Sequence, residues 1–370
     1  MAFTKEDAVK GKGLPPARQS NFELLRILLM LMIVAYHLRG YGGFESVPGP
    51  LLSRGFLYLL CAGGKVGVNG FVLLSGYFMS ASARGWQPRR LLKLYLQIFA
   101  YSAGGLLLLF ALGLTGPPDA GQIVKFFLPV SQNHYWFATA YFFLMLLAPF
   151  LNKLIQGLTR AEYRRMLLVC TVVFALVPTV LLVQYPISNL VLFFYLYLLA
   201  GYLRLHPEPL FERKWLALAV AAGSYLFMVG YVALYARLLP ALPWLRFFPK
   251  VQHTPGNSIP ALLCTLGLFL FFKNLKCKPS RVINTIASAT FGVYLLHEHS
   301  ARVRELLWQG WFDTRPYIDR PIEFALRIAG SVLAIFAAGI GIDLIRQYVL
   351  EKPLFWLIGK TKFGKKYLHD

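Results

Sequence analysis

The chain has 370 residues, 57% of them hydrophobic and only 15% charged, with a mean hydropathy of +0.55, against roughly 45–50% apolar and roughly 25% charged in soluble domains. A soluble fold of this length has neither a core large enough to hide that apolar surface nor enough charge for its water-facing side. Composition therefore excludes it, together with the disordered, collagen-like and disulfide-scaffold classes. The formal charge of +22 would suggest nucleic acid if it formed a patch, but the basic residues punctuate hydrophobic runs and no DNA- or RNA-binding motif accompanies them. In a membrane chain the positive-inside rule accounts for them, with the lipid bilayer as the first partner.

The first twenty residues are polar, carry Lys5, Lys10, Lys12 and Arg18, and precede an apolar run without a small-residue cleavage site. They read as a cytoplasmic tail and not as a signal peptide. Ten apolar segments follow that can span hydrocarbon, centred within residues 22–39, 60–80, 91–113, 135–155, 166–183, 189–203, 215–237, 258–273, 284–300 and 325–349. The second holds Lys65, Asn69 and five glycines, Gly63, Gly64, Gly67, Gly70 and Gly76, which favours close helix approach or a locally broken helix. With the amino terminus inside, the inner connections carry 25 Lys and Arg and the outer ones 11, so both termini are expected in the cytoplasm. The expected fold is an all-α polytopic membrane bundle of about ten helices: a tail over 1–20, a membrane domain over 21–350 and a basic cytoplasmic tail over 351–370.

Ionisable groups inside a span are costly unless they face the bundle interior, and so point to function. The first span carries Glu23, Arg26 and His37. The eleven-residue step from Arg26 to His37 returns to within about 20° of the same helix face and rises roughly 16 Å. Arg26 then lies near the cytoplasmic boundary and His37 in the outer half. A plainer reading pairs Glu23 with Arg26 at i,i+3, snorkelling to the inner interface, and leaves His37 interfacial. The ninth span, NTIASATFGVYLLHEHS, places Thr290, Tyr294, His297 and Glu298 in one polar stripe and delivers the last two to the depth of His37. The fourth opens with SQNHYWFATAY, adding His134, Tyr135 and Trp136 at that level, where aromatic belts also gather.

A neutral His suits removal of a proton from an attacking hydroxyl, and a nearby carboxylate can fix its tautomer, so the constellation suits acyl transfer. No metal is expected, because no HExxH occurs and the histidines of HEH fall on divergent helix faces. Cys61, Cys170, Cys264 and Cys277 show no CxxC spacing and suggest neither zinc nor thiol chemistry. The inner loop ARGWQPRRLLKLY offers Arg84, Arg89, Arg90 and Lys93 to phosphates of a cytosolic cofactor, or simply anchors a helix. A transporter whose buried ionisable residues line a pathway is the rival reading. No paired repeat with matched Gly/Pro-broken spans supports it.

The segments RQSNFELLRILLMLMIVAYH, VNGFVLLSGYFM, HYWFATAYFFLMLLAPFLNKLI and TFGVYLLHEH, in this order, closely resemble the acyltransferase-3 family of bacterial membrane proteins, over essentially the whole chain. The resemblance implies acylation, most often acetylation, of hydroxyls on envelope polysaccharides, with acyl-CoA as donor, in the bacterial plasma membrane. Its most specific element is an Arg and a His separated by ten residues in the first span, matched by Arg26 and His37. The family also carries two Arg three apart at the start of the third span, where this chain has Arg90 followed by Lys93. On this basis His37, Arg26, His297 and Glu298 are expected to serve catalysis. Arg84, Arg89, Arg90 and Lys93 are expected to bind the donor, and His134, Trp136 and Asn69 the acceptor, an envelope glycan or lipid-linked sugar. N-acylation of an amino sugar or amino acid, and assembly as a homo-oligomer, stay open.

Overall fold

The computed structural model describes residues 19–45, 47–82, 85, 87–181, 189–243 and 257–367. Its helices are α1 (Ser20–Tyr41), α2 (Leu51–Leu59), α3 (Gly63–Met79), α4 (Pro88–Ala111), α5 (Ala120–Phe127), α6 (Trp136–Gly157), α7 (Arg160–Thr171), α8 (Val177–Leu181) and α9 (Asn189–Leu205). They continue as α10 (Lys214–Leu238), α11 (Ile259–Lys273), α12 (Arg281–Ser288), α13 (Thr290–His297), α14 (Ala301–Glu305), α15 (Pro321–Arg346), α16 (Lys352–Lys360) and α17 (Lys362–Tyr367). No strand occurs among the described residues. The fold is an all-α bundle with, among those residues, seven helical stretches long and apolar enough to cross a membrane. Two shorter apolar helices, α9 and α11, fall where the sixth and eighth spans are expected.

The central helix is α1. Leu- and Met-rich, it has no helix breaker before Gly40 and stops at Gly42–Gly43, where the Gly42 amide bonds Leu38 O at 2.8 Å and Gly43 takes φ +70°. It contacts α3, α11, α12, α13 and α15, and Leu25, Leu29 and Val34 are fully buried. Lipid offers helices no hydrophobic drive to associate, so closeness of packing holds the bundle. Glycine supplies it on α3: a Cβ at Gly63 would stand 2.8 Å from Met32 O, one at Gly67 2.8 Å from Leu29 O, and one at Gly64 would enter the Tyr36 ring.

Three expected spans differ in detail. The second is broken, with α2 and α3 meeting at a turn over 60–62. The ninth is also broken: Ser280 caps α12, and Ala289 at φ −102° and ψ −2° separates it from α13, so a short helix carries Thr290, Tyr294 and His297 while Glu298 is its cap. The tenth continues from α15 through a π-helical turn at Gln347–Glu351 into α16, so the segment expected as a basic tail is helical through Tyr367.

The glycine contact gives a test. Gly67→Val forces a side chain into the Leu29 carbonyl and should destabilise by about 1–3 kcal/mol, whereas Gly104→Ala, with open space around its Cβ, should melt at or slightly above wild type. Equal melting temperatures for both variants in detergent would refute glycine-limited packing of α1 on α3.

Candidate active site

The end of α1 and the end of α13 meet. His37 Nδ1 lies 2.8 Å from His297 Nε2, although the residues are 260 positions apart. His297 is fully buried, and its Nδ1 lies 2.6 Å from Val293 O. A carbonyl only accepts, so His297 carries its proton on Nδ1 and in the neutral ring presents a lone pair at Nε2. His37 must then donate from Nδ1, and its Nε2 keeps the free lone pair. The short helix makes this possible, because Val293 lies one turn before His297 and offers its carbonyl to the ring.

Glu298 completes the cluster. Its Oε1 lies 3.5 Å from His37 Nδ1, and its Oε2 receives Tyr41 Oη and an Arg304 guanidinium nitrogen, each at 3.4 Å. Arg304 also stacks over the Tyr41 ring at 4.7 Å. The carboxylate is thus buried beside the imidazole with one cation near it, ready to balance an imidazolium. His37, His297 and Glu298 place their ligand atoms within 4.8 Å of one another, a set that could hold a metal ion. A tetrahedral zinc would keep two nitrogens about 3.3 Å apart. The 2.8 Å contact is therefore a hydrogen bond as it stands, and a metal would need the rings to separate.

His37 lines a narrow cavity of about 40 Å³ together with Met30, Tyr36, Lys65, Trp136 and Tyr294 among others. From His37 to Met30 the lining runs seven residues down α1, about 10 Å towards the Arg26 end.

The other expected residues fall in three places. Trp136 lines the cavity, with Lys65 Nζ 5.8 Å from its ring centroid. His134 instead packs on Phe126 at 4.4 Å and on His299 at 5.9 Å, outside the His37 cluster. Asn69 is fully buried between helices and is not among the residues lining that cavity. At the far end, Arg26 donates to both Glu23 oxygens at 3.0 and 2.9 Å, the plainer of its two readings, and does not join His37. Lys93 is held by Glu351 at 2.6 Å, and Arg346 grips the same carboxylate at 2.9 Å. Arg89 stacks over Phe355 at 5.8 Å. Arg90 is exposed with no ion pair among the described residues, and Arg84 lies outside them. Sequence reasoning did not single out Tyr41 or Arg304, and took Lys65 only as a charge within a span; Arg304 stands six residues after Glu298, but only the turn at Ser300 folds it back.

The model of the acyltransferase-3 family, an acyltransferase domain, matches residues 19–344. The chain belongs to this family. That stretch takes in α1 through most of α15, and with them His37, His297 and Glu298. No curated protein and no solved structure matches the chain. It is accordingly a multi-pass membrane acyltransferase.

In this acyltransferase His297 orients the His37 ring through their hydrogen bond. Removing its acceptor in His297→Ala frees the wrong tautomer of His37. Acyl transfer should fall about 10²–10⁴-fold, with the melting temperature and the donor KM near wild type. A fall in turnover that only tracks loss of folded protein would overturn the assignment.

Proposed function

We propose that the protein transfers an acyl group, most often acetyl, from cytosolic acyl-CoA to a hydroxyl of an envelope carbohydrate on the outer side of the bacterial plasma membrane. The observation that carries this reading is the chain from Val293 O through His297 to His37, which leaves one basic nitrogen, His37 Nε2, on a residue that lines a cavity. His37 takes the proton of the acceptor hydroxyl as that oxygen attacks the thioester carbonyl. Glu298 balances the imidazolium, which then gives its proton to the departing thiolate. An acyl-enzyme variant would divide the same proton movements between two steps.

In this reading, which the count of basic residues supports, both termini are cytoplasmic, with Arg26, Arg89 and Arg90 on the donor's side and His37 on the acceptor's. The cavity leads from His37 towards that donor side, the direction from which a pantetheine arm would enter. Arg89 and Arg90 on the first turn of α4 combine guanidinium groups with a helix amino terminus, a setting suited to phosphate. Lys93, already held by Glu351, is left to anchor α4. Trp136 offers the acceptor sugar an aromatic face. N-acyl transfer is the second reading; its product, unlike an ester, would resist alkali.

Purified protein should consume acetyl-CoA in detergent with no ion gradient, and the envelope glycans of cells lacking it should lose an alkali-labile mass of one acyl group. Absence of both would overturn the reading. Arg90→Gln should weaken donor binding by about 1.5–3 kcal/mol, roughly ten- to a hundredfold, while Arg164→Gln should not. CoA titration with equal affinities for all three proteins would reduce the loop to a topology signal. For sidedness, Ala120→Cys should react with a membrane-impermeant thiol reagent in intact cells and Arg160→Cys should not; the reverse pattern would move the His cluster to the cytoplasm.

A further inference from the structure

Lys65 stands in the first turn of α3, half-buried, and is the only Lys or Arg among the residues lining the His37 cavity. Among the described residues it has no ion pair, and its Nζ lies 5.8 Å from the centroid of the Trp136 ring. An unpaired ammonium within a membrane bundle is costly, and an anchoring lysine lowers that cost by reaching out to headgroups. Lys65 instead lies over a residue of α6 that lines the same cavity. Its position follows from the glycine packing: Gly64, its neighbour, presses on the ring of Tyr36, the neighbour of His37.

A second feature adds positive potential at this point. The 17-residue α3 begins here, and its N-cap, Ala62, has no side chain that could neutralise the partial charge of the helix amino terminus. Arg304, the other cation of the cluster, is held by Glu298 and Tyr41. The cavity therefore holds a base with no oxyanion partner on its own hydrogen-bond chain, and a cation with no anion.

Resting on the acyl-thioester reading above, we propose that Lys65, supported by the first turn of α3, stabilises the oxyanion formed during acyl transfer. The acceptor oxygen bonds to the thioester carbon as its proton passes to His37 Nε2. The carbonyl π pair moves onto oxygen, giving the anion that Lys65 faces. That pair then re-forms the carbonyl, the carbon–sulfur bond breaks, and the thiolate takes the proton back from His37, leaving ester and free CoA. Such a charge acts on the transition state more than on bound substrate, so its loss falls on kcat.

The test uses membranes containing the full chain and its native acceptor, supplied with radiolabelled acetyl-CoA. Lys65→Met should lower kcat about 10²–10³-fold with the acetyl-CoA KM within about threefold of wild type, and Lys65→Arg should recover most of the rate. Thermal melting in detergent monitors folding, with Lys65→Gln as the second neutral variant should the methionine protein fail to accumulate. If wild type transfers acetyl and the neutral variants match it, or lose only in KM, or if Lys65→Arg is as inactive as they are while melting normally, the oxyanion assignment falls alone. If wild type transfers no acetyl from acetyl-CoA, the parent reading falls and takes this one with it.

Discussion

Backbone-to-backbone approach of α3 to α1 governs where every group of the site stands. Where Gly63, Gly64 and Gly67 face α1, the carbonyls of Met32 and Leu29 and the ring of Tyr36 occupy the space a Cβ would need. In a lipid solvent this contact is a principal source of cohesion, since apolar surface gains little by leaving hydrocarbon for protein. The same contact sets function. It fixes the rotation of α1, so that His37 turns towards α13, and it carries Lys65 to the wall of the cavity that His37 lines.

The second determinant is the brevity of α13. An unbroken helix through 284–300 would have carried Glu298 past His297 as one more rung of a stripe. Ending at His297 instead, the helix turns at Glu298, and Ser300 caps α14 so that Arg304 returns to the Glu298 carboxylate. His297, itself oriented by the Val293 carbonyl, accepts from His37. This arrangement gives the directional control that a carboxylate gives in hydrolase triads, while the Glu298 carboxylate beside His37 supplies the negative charge.

Much of this was legible in the sequence because membranes make ionisable residues conspicuous. His37, His297 and Glu298 stood out by their cost, and their common depth followed from counting spans. The Glu23–Arg26 pair followed from its spacing. The break at Ala289 did not, since no proline or glycine marks it and the flanking residues suit a helix. Asn69 shows the limit of polarity as a signal, since an Asn on a glycine-rich helix can equally be buried between helices, as it is here. The Lys93–Glu351 pair joins residues far apart in the chain, and no local period reports such a contact. Lys65 was visible as a charge in a span, but its relation to His37 needed the packing of α1 on α3.

Asp343 shows how the two ends of the bundle are kept in register. Fully buried on α15, it accepts from Gln97 at 3.2 Å, Tyr101 at 2.9 Å, Arg346 at 2.7 Å and Gln347 at 2.8 Å. Gly292 of α13 packs directly on its carboxylate, leaving no room for a side chain. One residue thus fastens α4, which starts with Arg89 and Arg90, to α13, which ends with His297. A buried carboxylate with all its partners adds little net stability, but stripping a partner from it costs about 3–5 kcal/mol. Alternative slides of α4 along α15 would strand that charge and are correspondingly disfavoured. The Arg89–Arg90 start of α4 and the imidazole pair at the end of α13 are therefore held at a fixed separation, as the proposed entry of the donor at one end and its reaction at the other would require.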